Sequence, residues 1–138
     1  MLSKERNQTA TCPRRMIKYE PGDDLGELED WPSDNPLSNY VIKQGDPRPS
    51  GRLDAGGPGY ATRTGIWRCT RGTFECTEQR DELMAILSGH CLLTDVTTGE
   101  TTELSAGGSL FVRDGARVTW DIIKDVTKVF FGYKADGF

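Results

Sequence analysis

Histidine is nearly missing from this chain: His90 is the only one in 138 residues. Zinc sites, and many iron and copper sites, draw on several imidazoles or on closely spaced thiolates. The four cysteines, Cys12, Cys69, Cys76 and Cys91, form no C-x-x-C pair. No structural or catalytic site of that kind has a basis here, and the cysteines read as free thiols in a reducing compartment. Basic charge is short as well. The 17 Lys and Arg against 21 Asp and Glu give a formal charge of -4. That balance lacks the basic face nucleic acid requires and offers no polybasic attraction to an anionic membrane. Apolar runs such as Val129-Phe130-Phe131 fall far short of the ~20 residues that span a bilayer. The first residues, Met1-Leu2-Ser3-Lys4-Glu5-Arg6, have no apolar core of a signal peptide, so a cytoplasmic location is expected.

Proline is missing from one side only. All seven prolines, Pro13 to Pro58, lie in the first 58 residues. Proline removes a ladder donor and fixes φ, so this part reads as a loop-rich arm with short strands, of which 39–43 is the best candidate. The acidic stretch from Asp23 to Asp30 reads as a solvated face. From residue 59 the grammar changes to short alternating segments between Gly, Asp, Ser and Thr. Strands are expected at 62–70, 73–78, 82–88, 90–95, 101–105, 109–113, 117–123 and 128–134. The run Val96-Thr97-Thr98-Gly99-Glu100 suits a hairpin connection. The chain therefore divides into an arm over 1–58, packed on a barrel over 59–138. The expected class is all-β, a jelly roll or barrel.

Three segments carry a more specific signal. They are Gly65-Ile66-Trp67-Arg68-Cys69-Thr70-Arg71-Gly72-Thr73-Phe74, then Glu82-Leu83-Met84-Ala85-Ile86-Leu87-Ser88-Gly89, then Gly115-Ala116-Arg117-Val118-Thr119-Trp120. Together they resemble the cupin superfamily. They are most similar to the small single-domain cupins related to ureidoglycine aminohydrolase, most of which have no known function. The resemblance covers roughly residues 66–133. It implies a double-stranded β-helix, the cupin jelly-roll barrel, after the loop-rich arm. It also implies a metal site that this chain departs from. The first-motif histidine positions fall on Glu75 and Thr77 in one register, and on Cys76 and Glu78 in the other. The second-motif histidine position falls on Val118. At most, Glu82 with Glu75, Cys76 or Glu78 could make an oxygen-rich or mixed site suited to a hard cation; no metal and no other cofactor is expected.

Glu82 stands out within this frame. Alternation puts Glu82, Met84 and Ile86 on one strand face. A carboxyl on a barrel-lining face is costly unless paired or wet, and desolvation raises its pKa, which suits acid/base work. The competing reading is a rim carboxylate paired with Arg68, Arg71 or Arg80. Trp120 shares a face with Val118 and Ile122, as a ligand-stacking wall or as core. Glu75, Cys76, Glu78, Met84 and Tyr133 complete the candidate ligand-binding set. Cys76 as a nucleophile would need a base, and no imidazole is close in sequence. His90 reads as a surface strand residue.

Two functions follow. The first is a metal-poor cupin that binds a small polar metabolite in its barrel. The second is a small-molecule hydrolase or isomerase of the ureidoglycine aminohydrolase kind, with Glu82 as acid/base. A homodimer is expected, with the arm contributing, because Trp31, Tyr40, Val41 and Ile42 are poorly placed as free surface groups.

Overall fold

The computed structural model describes residues 15–32 and 39–138. Cys12, Pro13 and Pro36 lie outside them. Among the described residues there are nine strands and no helix. They are β1 (Glu29–Asp30), β2 (Val41–Gly45), β3 (Pro49–Gly56), β4 (Thr62–Cys69), β5 (Gly72–Thr77), β6 (Asp81–Asp95), β7 (Thr101–Ser105), β8 (Ser109–Val112) and β9 (Arg117–Tyr133). All pairings are antiparallel. The order runs β1-β3-β4-β9-β5-β2, with β6 joining β9 to β7 and β8. The result is a curled antiparallel half-barrel, consistent with the all-β jelly roll or barrel expected from the alternation.

Two long strands make the curl. The expected pairs 82–88 with 90–95, and 117–123 with 128–134, are single strands, β6 and β9. The first half of β9 pairs with β5 and the second half with β4. In β9 the inward residues Val118, Trp120 and Ile122 give way to an exposed Ile123-Lys124-Asp125, after which Val126, Lys128 and Phe130 turn inward again. Gly89 of β6 sits opposite this bend. It has φ +93°, and a Cβ there would lie 2.1 Å from the Asp125 carbonyl oxygen. The two strands bend together where only glycine lets their backbones meet. Register shifts between Ile86 and Cys91 mark the same place.

The core lies inside the curl. Phe74, Met84, Ile86, Cys91, Trp120 and Val126 are all at most 2% exposed. An aromatic file crosses it. Tyr40 stacks on Phe74 at 4.2 Å, Phe74 on Trp120 at 6.1 Å, and Trp120 meets Trp67 at 5.0 Å.

The described part of the arm is more ordered than its prolines suggested. β3 pairs with β4 along its whole length, so residues 49–56 are a strand of the sheet. The sequence Pro-Ser-Gly-Arg-Leu-Asp-Ala-Gly has little strand propensity of its own, and pairing with β4 overrides it. Pro49 is tolerated because it is the first residue of the strand. β2 adds to β5 of its own chain. Asn39 fixes it there: its side-chain amide donates to the Thr77 carbonyl at 3.0 Å, and its amide oxygen accepts from the Thr77 N–H at 2.8 Å.

Candidate functional site

The arm closes over the barrel interior and leaves a cavity of about 220 Å³. Trp31, Tyr40, Pro49 and Leu53 of the arm form one side, and Trp67, Trp120 and Phe130 of the barrel form the other. Gly51 makes the closure possible. A Cβ there would lie 2.4 Å from the Trp31 ring, so only a glycine lets that indole lie flat on β3. Trp31 in turn meets Phe130 edge-on at 6.3 Å. All three tryptophans of the sequence therefore face this one cavity.

The polar groups sit at its floor. Glu82, 4% exposed, accepts a charge-assisted hydrogen bond from Lys128 Nζ at 2.5 Å. That ammonium also lies 4.6 Å from the Trp67 ring centre and 4.8 Å from that of Trp120. One carboxylate and two indole faces thus compensate a buried cation. Of the alternative partners named from sequence, Arg80 lines the same cavity. Arg68 Nε donates to Thr127 Oγ1 at 3.0 Å, and Arg80 lies over the Phe138 ring at 5.6 Å. Sequence reasoning missed Lys128 as the partner. Alternation carried the signal, since Lys128 shares a face with Val126 and Phe130.

Glu78 is the second buried carboxyl. The turn before β9 positions it: its backbone N–H donates to the Ala116 carbonyl at 2.8 Å, and its carbonyl accepts from Gly115 N–H at 2.8 Å. Burial, followed by repulsion from Glu82, raises its pKa. Cys76 lies beside it, with Sγ 3.8 Å from Glu78 Oε2. Burial, then the nearby Glu78, pushes the Cys76 thiol well up. It is therefore kept protonated and is a poor nucleophile.

Four of the seven residues singled out from sequence, Cys76, Glu78, Glu82 and Trp120, line the cavity. Met84 is in the core at 1% exposure. Glu75 points outward and accepts a hydrogen bond from Arg117 Nη2 at 3.0 Å. Tyr133 borders a separate hollow with Gln79, Asp81, Asp114 and Lys134. Every residue lining that hollow is exposed or half-exposed, so it is a surface feature. His90 sits at the surface, 2.5 Å from Glu103 Oε2. Besides Lys128, sequence reasoning missed Arg63, which also faces the cavity.

The cupin resemblance brings a metal into question. Among the described residues no three His, Cys, Asp or Glu side chains cluster as a ligand set. Of the nearest donors, the Cys76 thiol and the Glu78 carboxyl are both held towards their protonated forms, and Glu82 is taken by an ammonium. Metal ligands must be deprotonated and accessible, so this donor set does not fit a divalent metal.

A family model described as the EutQ-like cupin domain matches residues 56–130, just over half of the chain. No curated protein matches it. Among solved structures, a DUF861-family protein of unknown function from Pseudomonas syringae pv. tomato is similar at TM-score 0.67 and 21% identity. That match covers 80% of this chain but only 46% of the other. A putative ethanolamine utilization protein Q from Salmonella typhimurium LT2 is similar at TM-score 0.54 and 19% identity, covering 66% of this chain and 72% of that one. The EutQ protein of Clostridium difficile matches at TM-score 0.54 and 14% identity, covering 70% and 82%. Identities this low speak for the fold alone.

Proposed function

This chain belongs to the EutQ-like cupin domain family, and on that premise we propose that it binds a small polar metabolite in the cavity beneath its arm, without a metal. The carrying observation is the cavity itself: about 220 Å³, walled by three indoles and floored by the Glu82–Lys128 pair. An apolar wall with a few fixed polar groups is the usual make-up of a small-molecule site. The Glu82–Lys128 pair supplies fixed polar groups that need no metal. The test is a metabolite screen by thermal shift on chelator-treated protein, with metal analysis of the protein as purified. A ligand that stabilises the metal-free protein supports the reading. Binding that appears only after a stoichiometric metal is restored contradicts it.

An enzyme is the second reading, and one observation favours it. Two carboxyls share the cavity in different states, since Glu82 is ion-paired while burial raises the Glu78 pKa. Such a split is how acid and base roles are assigned in carboxylate pairs. Glu78 then becomes the proton donor in a hydrolase or isomerase of the ureidoglycine aminohydrolase kind. Glu82, the acid/base expected from sequence, holds Lys128 instead. Turnover of a screened ligand, lost in Glu78→Gln with binding retained, is the result that selects this reading.

The homodimer is likewise a proposal. Leu83 is the register partner of Phe111 on one side and Phe131 on the other. All three are about half exposed, at 52%, 52% and 49%, and form an apolar row on the outer face. Val41 and Ile42 of the arm are also exposed, on the edge strand β2. The buried, free Cys69, Cys76 and Cys91 suit a reducing cytoplasm.

A further inference from the structure

We propose that the ligand carries a carboxylate and that the Arg63 guanidinium receives it; this rests on reading the cavity as a small-molecule site. Arg63 stands on β4 with glycines as register partners on both sides, Gly56 on β3 and Gly132 on β9. The space over Gly132 is filled instead by the Arg80 side chain and the Phe138 ring, each 3.3 Å from where a Cβ would lie. Its Nε is buried with no hydrogen-bond partner. The guanidinium lies over two rings, Phe130 at 5.5 Å and Phe138 at 4.8 Å. Phe138 is itself fixed, because its backbone N–H donates to the Tyr60 carbonyl at 2.9 Å. The fork is therefore held in place.

Among the described residues, no carboxylate is within ion-pair distance of Arg63. The cavity's three carboxyls are engaged elsewhere. Glu82 holds Lys128 at 2.5 Å, Glu78 faces Cys76 at 3.8 Å, and Glu29 accepts from Trp31 Nε1 at 3.2 Å. Arg52, one strand away, shows the contrast, since its Nε lies 3.0 Å from Asp54 Oδ1. A second cation, Arg80, shares the Phe138 ring with Arg63. The Arg63 guanidinium lines the cavity, and its planar fork of N–H groups matches a carboxylate, which accepts two parallel N–H bonds. The aromatic walls then take the ligand's apolar body.

Benzoate and benzamide test this directly, because they share shape and size and differ in charge. Their affinities are measured by calorimetry on the wild-type protein at neutral pH, with indole NMR resonances reporting cavity occupancy. Benzoate is expected to bind roughly ten- to a hundredfold more tightly, the usual worth of a charge-assisted hydrogen bond. Arg63→Gln is expected to erase that preference, and Arg63→Lys to retain part of it. Equal binding of the two compounds, or an unchanged benzoate affinity in Arg63→Gln, overturns the carboxylate while leaving the cavity reading standing. If benzoate, benzamide and benzylamine all fail to move any indole resonance, both readings fall.

Discussion

Replacing Lys128 by Met removes an ammonium buried between one carboxylate and two indoles. The Lys128 and Glu82 side chains are 7% and 5% exposed, so neither charge can turn to bulk water. Losing one partner of such a pair leaves the other unpaired, at a cost of about 3–5 kcal/mol. For a domain of this size that corresponds to a fall in Tm on the order of 10–15 °C. Glu82→Gln is milder, at about 1–3 kcal/mol. Its amide oxygen still accepts from Nζ, and both indole faces still meet the ammonium. The double variant Glu82→Leu with Lys128→Met removes both charges and should recover most of the loss, because apolar replacement of a buried pair is often near neutral. Urea melts of the four proteins settle the matter. A Lys128→Met protein within about 1 kcal/mol of wild type, the range of a surface pair, refutes the buried-pair argument. So does a double variant as unstable as the two single losses added together.

Other outcomes follow from the same geometry. Burial raises the Glu78 pKa above its ordinary 4.5, so the folded state holds that proton more tightly. The stability linked to this group is complete at acid pH and declines as pH rises through the raised folded value. Glu78→Gln should flatten that decline and melt higher than wild type in mildly alkaline buffer; unchanged pH curves count against it. Gly51→Ala drives a methyl into Trp31 and should cost on the order of 2 kcal/mol while red-shifting tryptophan emission as the arm lifts. Unaltered emission means the arm does not lie on β3. Gly89→Ala meets backbone at 2.1 Å in a left-handed conformation, so it should be at least as damaging by thermal melt. Light scattering should give twice the 15.3 kDa monomer mass, with Leu83→Lys or Val41→Lys shifting it to monomer. A monomeric wild type rules out the dimer.

The barrel was legible because its signal is periodic. Alternation found every strand from β4 to β9, and Glu82 was correctly put on the inward face. Bends were harder to see. Gly89 and the polar Lys124-Asp125 read as strand ends, whereas they are the points where β6 and β9 bend without breaking their pairing. β3 was invisible because its pairing partner, not its own composition, makes it a strand. At the site, a lysine and an arginine on inward faces were passed over, since charged residues are normally at the surface. Alternation alone would have flagged both Lys128 and Arg63. The wall formed by Trp31 and Tyr40 rests on contacts between distant segments, which no local pattern encodes.

The most direct test is an indole ¹⁵N–¹H NMR titration of chelator-treated protein with a ligand found by the thermal-shift screen. The sequence has three tryptophans, and Trp31, Trp67 and Trp120 all line the one cavity. Saturable movement of all three resonances with no metal present is the predicted result. A ligand that binds and stabilises the protein yet leaves all three unmoved would place the binding site elsewhere and contradict the account.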